Sequence, residues 1–166
     1  RPSSSATGRP GQWARYAQAG NSDAFTQFAS IRDGVAAEAA NRLGLDVARM
    51  QLAWRNADAP HQVALMAAFA ELGTPYRRNT SSPGVGFDCS GLTKWAWGRA
   101  GVGMPHQSGA QYGSFPHVSK DEAQPGDLIF YYSPIGHVGI YIGGGQMIHA
   151  PQTGDVVKIS VVHWNK

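Results

Sequence analysis

The chain has 166 residues, 42% of them hydrophobic and 15% charged, which is enough apolar material for one compact core and too much for a disordered chain. A formal charge of +3 with Arg77-Arg78 as the only adjacent basic pair argues against a nucleic-acid partner, and no apolar run approaches the ~20 residues of a membrane span. The single cysteine, Cys89, excludes an intramolecular disulfide.

Residues 1–12 are rich in Ser, Gly and Pro and read as a flexible linker. They carry no charged-then-apolar leader and no initiator Met, so the chain reads as a mature or trimmed segment. A helical pattern runs from about Asn21 to Gly73. Within it Asp46 can cap a helix over 47–56, with Val47, Met50, Leu52 and Trp54 as its apolar surface. Asp58-Ala59-Pro60 starts the next helix, running over 61–72 and stopped by Gly73. Residues 74–87 form a polar, Gly/Pro-rich loop. A helix then begins at Asp88 or Cys89 and runs to about Arg99, and a short one covers 107–112.

The period changes in the last third. Strands are expected over 127–132, 137–142, 146–150 and 156–162, separated by glycine-containing turns. Helices first and an antiparallel meander afterwards give an α+β domain over 59–166, preceded by a helical extension over 1–58.

Cys89 lies in Phe87-Asp88-Cys89-Ser90-Gly91-Leu92. A helix starting there points unpaired amides and a partial positive charge at the sulfur, which favours the thiolate and offers donors to an oxyanion. Cys89, Leu92 and Ala96 share one face, so the thiol points toward the sheet on which the helix packs. The plain alternative is a structural core cysteine, although such a cysteine has no need of Asp, Ser and Gly neighbours.

Two of the six histidines can reach that face. His137 opens one strand, with Gly136 and Gly139 leaving room around its ring, and His149 lies on the next. A three-residue loop of Gly143-Gly144-Gly145 pairs Gly139 with His149 and sets the two rings diagonally on one face. A two-residue loop pairs His149 with Ile140 and separates them. A thiol–imidazole catalyst therefore predicts the three-residue loop. Zinc held by Cys89, His137 and His149 is a further reading, but no Cys-x-x-Cys or His-x-x-x-His pair supports it.

Four ordered segments, Phe87–Leu92, Pro125-Gly126-Asp127-Leu128, Gly136–Tyr141 and Ile148-His149-Ala150, resemble the NlpC/P60 family of cell-wall peptidases over about residues 60–162. The resemblance implies a papain-like α+β fold with the catalytic Cys heading a helix packed on an antiparallel sheet. It implies Cys89 as nucleophile, His137 as general base and His149 as the residue that orients it, with no metal or cofactor. Tyr76, Asp88, Ser90, His106 and Ser108 match positions that line or border the family's substrate cleft. Arg77-Arg78-Asn79-Thr80 replaces the aromatic and paired glycines of many members and is similar to a mycobacterial-type, actinobacterial branch.

The implied activity is hydrolysis of an amide in the peptidoglycan stem peptide, at the γ-D-glutamyl to meso-diaminopimelate link, by a secreted or wall-associated enzyme. A protein partner is a candidate ligand of the N-terminal helices. The competing readings are a Cys-dependent amidase or acyltransferase on another substrate, such as a lipid, and a non-catalytic cell-wall binding module.

Overall fold

The computed structural model describes residues 22–166. The expected linker over 1–12 lies outside the described residues. Three helices come first: α1 (Ser22–Leu43), α2 (Val47–Asn56) and α3 (Ala59–Phe69). Asp46 caps α2 as its sequence predicts, its carboxylate accepting from the Arg49 amide at 2.9 Å. Met50 and Trp54 carry the buried face of α2, whereas Leu52, expected there too, faces solvent. The α3 helix stops at Phe69, three residues short of expectation. Single turns carry the chain on to Gly73 at φ +86.

The loop over 74–87 holds a two-stranded hairpin, β1 (Ser81–Ser82) with β2 (Gly86–Phe87), that the sequence did not announce. The helix α4 (Cys89–Arg99) follows directly, then α5 (Ser108–Ser114), a 3₁₀ turn (Lys120–Glu122), and β3 (Leu128–Tyr131), β4 (His137–Gly143), β5 (Gln146–His149) and β6 (Lys158–Val161). The last four form one antiparallel meander in the order β3-β4-β5-β6, so the α+β class holds.

One core lies between α4 and the sheet. Leu92 and Ala96 of α4 join Leu128, Val138, Ile140, Ile142 and Ile148 of the strands, all buried. Ala36, Ala39, Ala40, Met50 and Trp54 of α1 and α2 belong to the same cluster, so the extension packs as part of this core. Gln62 ties α1 to α3: it accepts from the buried Arg32 at 2.9 Å and donates to the Ala57 carbonyl at 2.8 Å. Part of the outer face of the sheet is covered by the tail, where Val162 and Trp164 pack with Ile129, Tyr131, Tyr141 and Met147. Among the described residues, no helix is long and apolar enough to cross a membrane.

The β4–β5 turn resolves the two loop lengths in an unexpected way. Gly143 pairs with Gln146, so the turn is the two residues Gly144-Gly145, both at positive φ as a type I′ turn requires. Between Tyr141 and Gly143 the register shifts, leaving Ile142 as an extra residue in a β-bulge. Beyond the bulge Tyr141 faces Met147 and Ile140 faces Ile148. The histidines thus keep the register predicted for a three-residue loop, through a shorter turn plus a bulge.

Candidate active site

Asp88 defines the head of α4. Its Oδ1 accepts from the Gly91 amide at 2.7 Å, closing the N-cap, and its Oδ2 accepts from the Asn79 amide at 2.8 Å. The Asp88 amide donates to the Thr80 carbonyl at 3.0 Å, which pins the 79–80 loop against the helix start. Cys89 is therefore the first helical residue. It is partly buried, packed against the core, and its sulfur receives the backbone amide of Val138.

Burial pushes the Cys89 thiol above its ordinary value, and the Asp88 carboxylate adds to that rise. The amides of Val138, Ser90 and Cys89 itself pull the other way and do not overcome it. This corrects the expectation that the helix terminus alone favours thiolate. At rest the helix-start effect is present but smaller than desolvation.

His137 begins β4, one residue before the amide that meets the sulfur. Its Nε2 lies 2.8 Å from His149 Nδ1, the rings inclined at 69° with centroids 5.1 Å apart. The space for this comes from Gly139, where a Cβ would stand 3.2 Å from His149 Cβ. Burial lowers His137 below the usual imidazole value. His149 falls further, to about 4, through burial first, then the charges of His137 and Lys158, with Asp155 opposing. Both rings are neutral near pH 7. His149 Nε2 is 2.9 Å from Ser160 Oγ on β6. Ser160 was not anticipated. It emerges only from the β5–β6 register, in which Met147 faces Ser160 and His149 faces Lys158, so that Ser160 is diagonal to His149.

Among the residues carried by resemblance, Tyr76 bridges to Phe87, and burial followed by the charges of Cys89 and Asp88 raises its phenol. His106 meets Asp88 directly, Nε2 to Oδ1 at 2.6 Å. Ser90 and Ser108 are buried in the first turns of α4 and α5. The buried Gln111, another residue without a sequence signal, links these regions. Its Nε2 donates to the carbonyls of Ser90 (3.0 Å) and Pro105 (2.8 Å), and its Oε1 accepts from Thr93 Oγ1 at 2.7 Å. Among the described residues, no hydrogen bond joins the Cys89 sulfur to the His137 ring, and no group of three His, Cys, Asp or Glu side chains could hold a metal ion. A nucleophile candidate at a helix head, beside two adjacent strands that each present one of two linked neutral imidazoles, can perform acyl transfer.

Comparison with known proteins places the chain in a family. The probable endopeptidase p60 of Listeria monocytogenes is 47% identical over 100 residues, covering 57% of this chain and 20% of that protein. The chain thus spans about a fifth of the length of that relative. The crystal structure of the NlpC/p60 domain of the peptidoglycan hydrolase SagA superposes with a TM-score of 0.58 at 37% identity, covering 63% of this chain and 92% of that one. A hypothetical invasion protein of Mycobacterium tuberculosis gives a TM-score of 0.58 at 25% identity over 82% of this chain and 78% of its own. The NlpC/P60 family model matches residues 73–166, more than half of the sequence, from the turn before Tyr76 through both histidine strands. The chain belongs to the NlpC/P60 family.

Proposed function

We propose that this protein is a cysteine endopeptidase of peptidoglycan that cuts an amide bond in the stem peptide, with Cys89 as nucleophile, His137 as general base and His149 as the group that orients it. The observation that carries the reading is the 2.8 Å bond from His137 Nε2 to His149 Nδ1, on the strand whose next amide meets the Cys89 sulfur. The relatives named endopeptidases and the neighbour named a peptidoglycan hydrolase support the substrate class. On this reading residues 59–166 are the catalytic domain, residues 1–58 are its extension, and the enzyme works outside the cell at the wall.

The resting pair is a neutral thiol beside a neutral imidazole. Proton transfer therefore accompanies attack: as sulfur bonds to the carbonyl carbon, His137 takes the thiol proton. The amides of Cys89 and Ser90, which face the sulfur at the head of α4, are placed to donate to the oxyanion as it forms. Collapse breaks the C–N bond, and the imidazolium returns its proton to the leaving amine. Water then attacks the thioester with His137 as base, releasing a carboxylic acid and restoring the thiol. No metal or organic cofactor enters these steps. The bond implied by the family resemblance is γ-D-glutamyl to meso-diaminopimelate.

The test is digestion of purified diaminopimelate-type peptidoglycan with mass identification of the fragments. New termini at D-glutamate and diaminopimelate are expected, with no release by Cys89→Ala. Equal release by that variant would sink the mechanism, and fragments cut elsewhere would reassign the bond.

A further inference from the structure

His149 is held through both ring nitrogens: Nδ1 lies 2.8 Å from His137 Nε2, and Nε2 lies 2.9 Å from Ser160 Oγ. Because His137 commits Nε2 to His149, Nδ1 is the nitrogen left to receive a thiol proton. As a base that nitrogen must be bare, so the neutral His137 ring carries its proton on Nε2 and donates to His149 Nδ1. His149 Nδ1 must then be bare too, and its own proton sits on Nε2, donating to Ser160.

The reverse arrangement has Ser160 donating to His149 Nε2. It moves the His149 proton to Nδ1, obliges His137 Nε2 to accept, and places a proton on His137 Nδ1, where no lone pair remains for the thiol. The two arrangements exclude each other, and the direction of the Ser160 hydroxyl selects between them.

The base role of His137 fixes the direction, and Ser160 is the neighbour of His149 placed to accept from its Nε2. Lys158 faces His149 across the β5–β6 pair and has only donors to offer. Asp155 is engaged elsewhere, accepting from Lys158 Nζ at 2.7 Å and from the Val156 amide at 2.9 Å. Ser160 is half-buried and lines an open groove with His137 and His149, so its own hydroxyl proton can be given to water.

We infer that Ser160 is a positioning residue for the hydrolytic reaction: its Oγ accepts from His149 Nε2 and so holds both histidines in the tautomers that leave His137 Nδ1 free as base. The inference rests on the reading of His137 as general base. Long-range 1H–15N spectra of the labelled protein at neutral pH read both tautomers without using activity. Wild type is expected to show His137 and His149 each protonated on Nε2. In Ser160→Ala, His149 should become a tautomer mixture and kcat on a defined muropeptide should fall about tenfold with KM little changed. Ser160→Thr, which keeps the hydroxyl, should restore both.

A wild-type His149 protonated on Nδ1 would overturn the inference, as would a Ser160→Ala protein with unaltered tautomers and kcat. If Ser160→Ala does not fold, the wild-type spectrum and the Thr variant still decide. Full activity in Cys89→Ala would defeat the underlying mechanism instead. Wrong tautomers with an inactive Cys89→Ala would keep Cys89 as nucleophile but remove the role of Ser160 and, with it, the resting His137 Nδ1 as base.

Discussion

The indole nitrogen of Trp54 donates to the carbonyl of Ile142 at 2.8 Å, across 88 positions of sequence. Ile142 is the residue that the β4 bulge leaves without a partner in β5, so a helix outside the family-matched region satisfies the backbone group that the bulge sets free. That bulge sets the register that brings His149 diagonal to His137. This buried hydrogen bond couples the N-terminal helices to the candidate catalytic pair, alongside their packing in the shared core.

Trp54→Phe keeps an aromatic ring against Phe69 but removes the donor. An unsatisfied buried carbonyl costs about 1–3 kcal/mol, and the smaller ring adds a packing loss. Urea unfolding should show about 2–4 kcal/mol less stability, and turnover should fall several-fold as the bulge loosens. A wild-type unfolding midpoint would mean that the indole bond does not hold the bulge.

Two glycines of α4 should respond oppositely to alanine. At Gly91 a Cβ would stand 2.1 Å from the Thr80 carbonyl oxygen and 2.7 Å from Asp88 Oδ1, so the backbone of the 79–80 loop must move. That clash outweighs the roughly 1 kcal/mol that alanine gains in a helix. Gly91→Ala should lose several kcal/mol and the order of the Cys89 end. At the exposed Gly98 nothing lies within 4 Å of a Cβ, so Gly98→Ala should gain about 0.5–1 kcal/mol and raise Tm by a few degrees. Thermal unfolding of the pair checks both signs, and equal effects would contradict the geometry.

Acid should destabilise the fold through His149. Its value falls from 6.5 to about 4 on folding, so between those limits the unfolded chain binds more protons and unfolding becomes easier as pH drops. The loss of stability reaches about 3 kcal/mol at most, and the depressed His137 acts with the same sign. Urea midpoints at pH 7 and pH 5 should fall less for His149→Gln than for wild type. Parallel falls would assign the acid sensitivity to other groups.

The resting thiol should alkylate slowly at neutral pH. Burial raises Cys89 and lowers His137, so the thiolate fraction should grow only above the ordinary thiol range. Iodoacetamide rates followed from pH 5 to 10 should climb late, without an acid plateau. A fast plateau reaching down to pH 5 would instead reveal a preformed thiolate–imidazolium pair.

Much of this was legible in the sequence because it is local. Asp88 before Cys89 is a cap at a helix start, and the glycine-punctuated strands over 137–149 predict a meander in which one of two loop registers sets both imidazoles on one face. What escaped is set by distant partners or by ambiguous residues. Three successive glycines admit either turn length, and Ile142 looks like any apolar strand residue, so the bulge has no signature of its own. Ser160 matters through the β5–β6 register, and Gln111 through groups on two other segments. Strands as short as Ser81–Ser82 and Gly86–Phe87 carry no alternation to read. The direction of the Cys89 shift escaped for a different reason: the helix terminus is visible in sequence, but the depth of burial that outweighs it is not.

On the proposed mechanism Cys89 forms a covalent acyl intermediate assisted by His137. The most direct measurement is acid-quenched intact mass and peptide mapping of the enzyme during turnover of a defined diaminopimelate-containing muropeptide. A thioester adduct on the Cys89 peptide, absent in Cys89→Ala and strongly reduced in His137→Ala, is the predicted result. Turnover by Cys89→Ala at the wild-type rate, with no adduct in either protein, would contradict it.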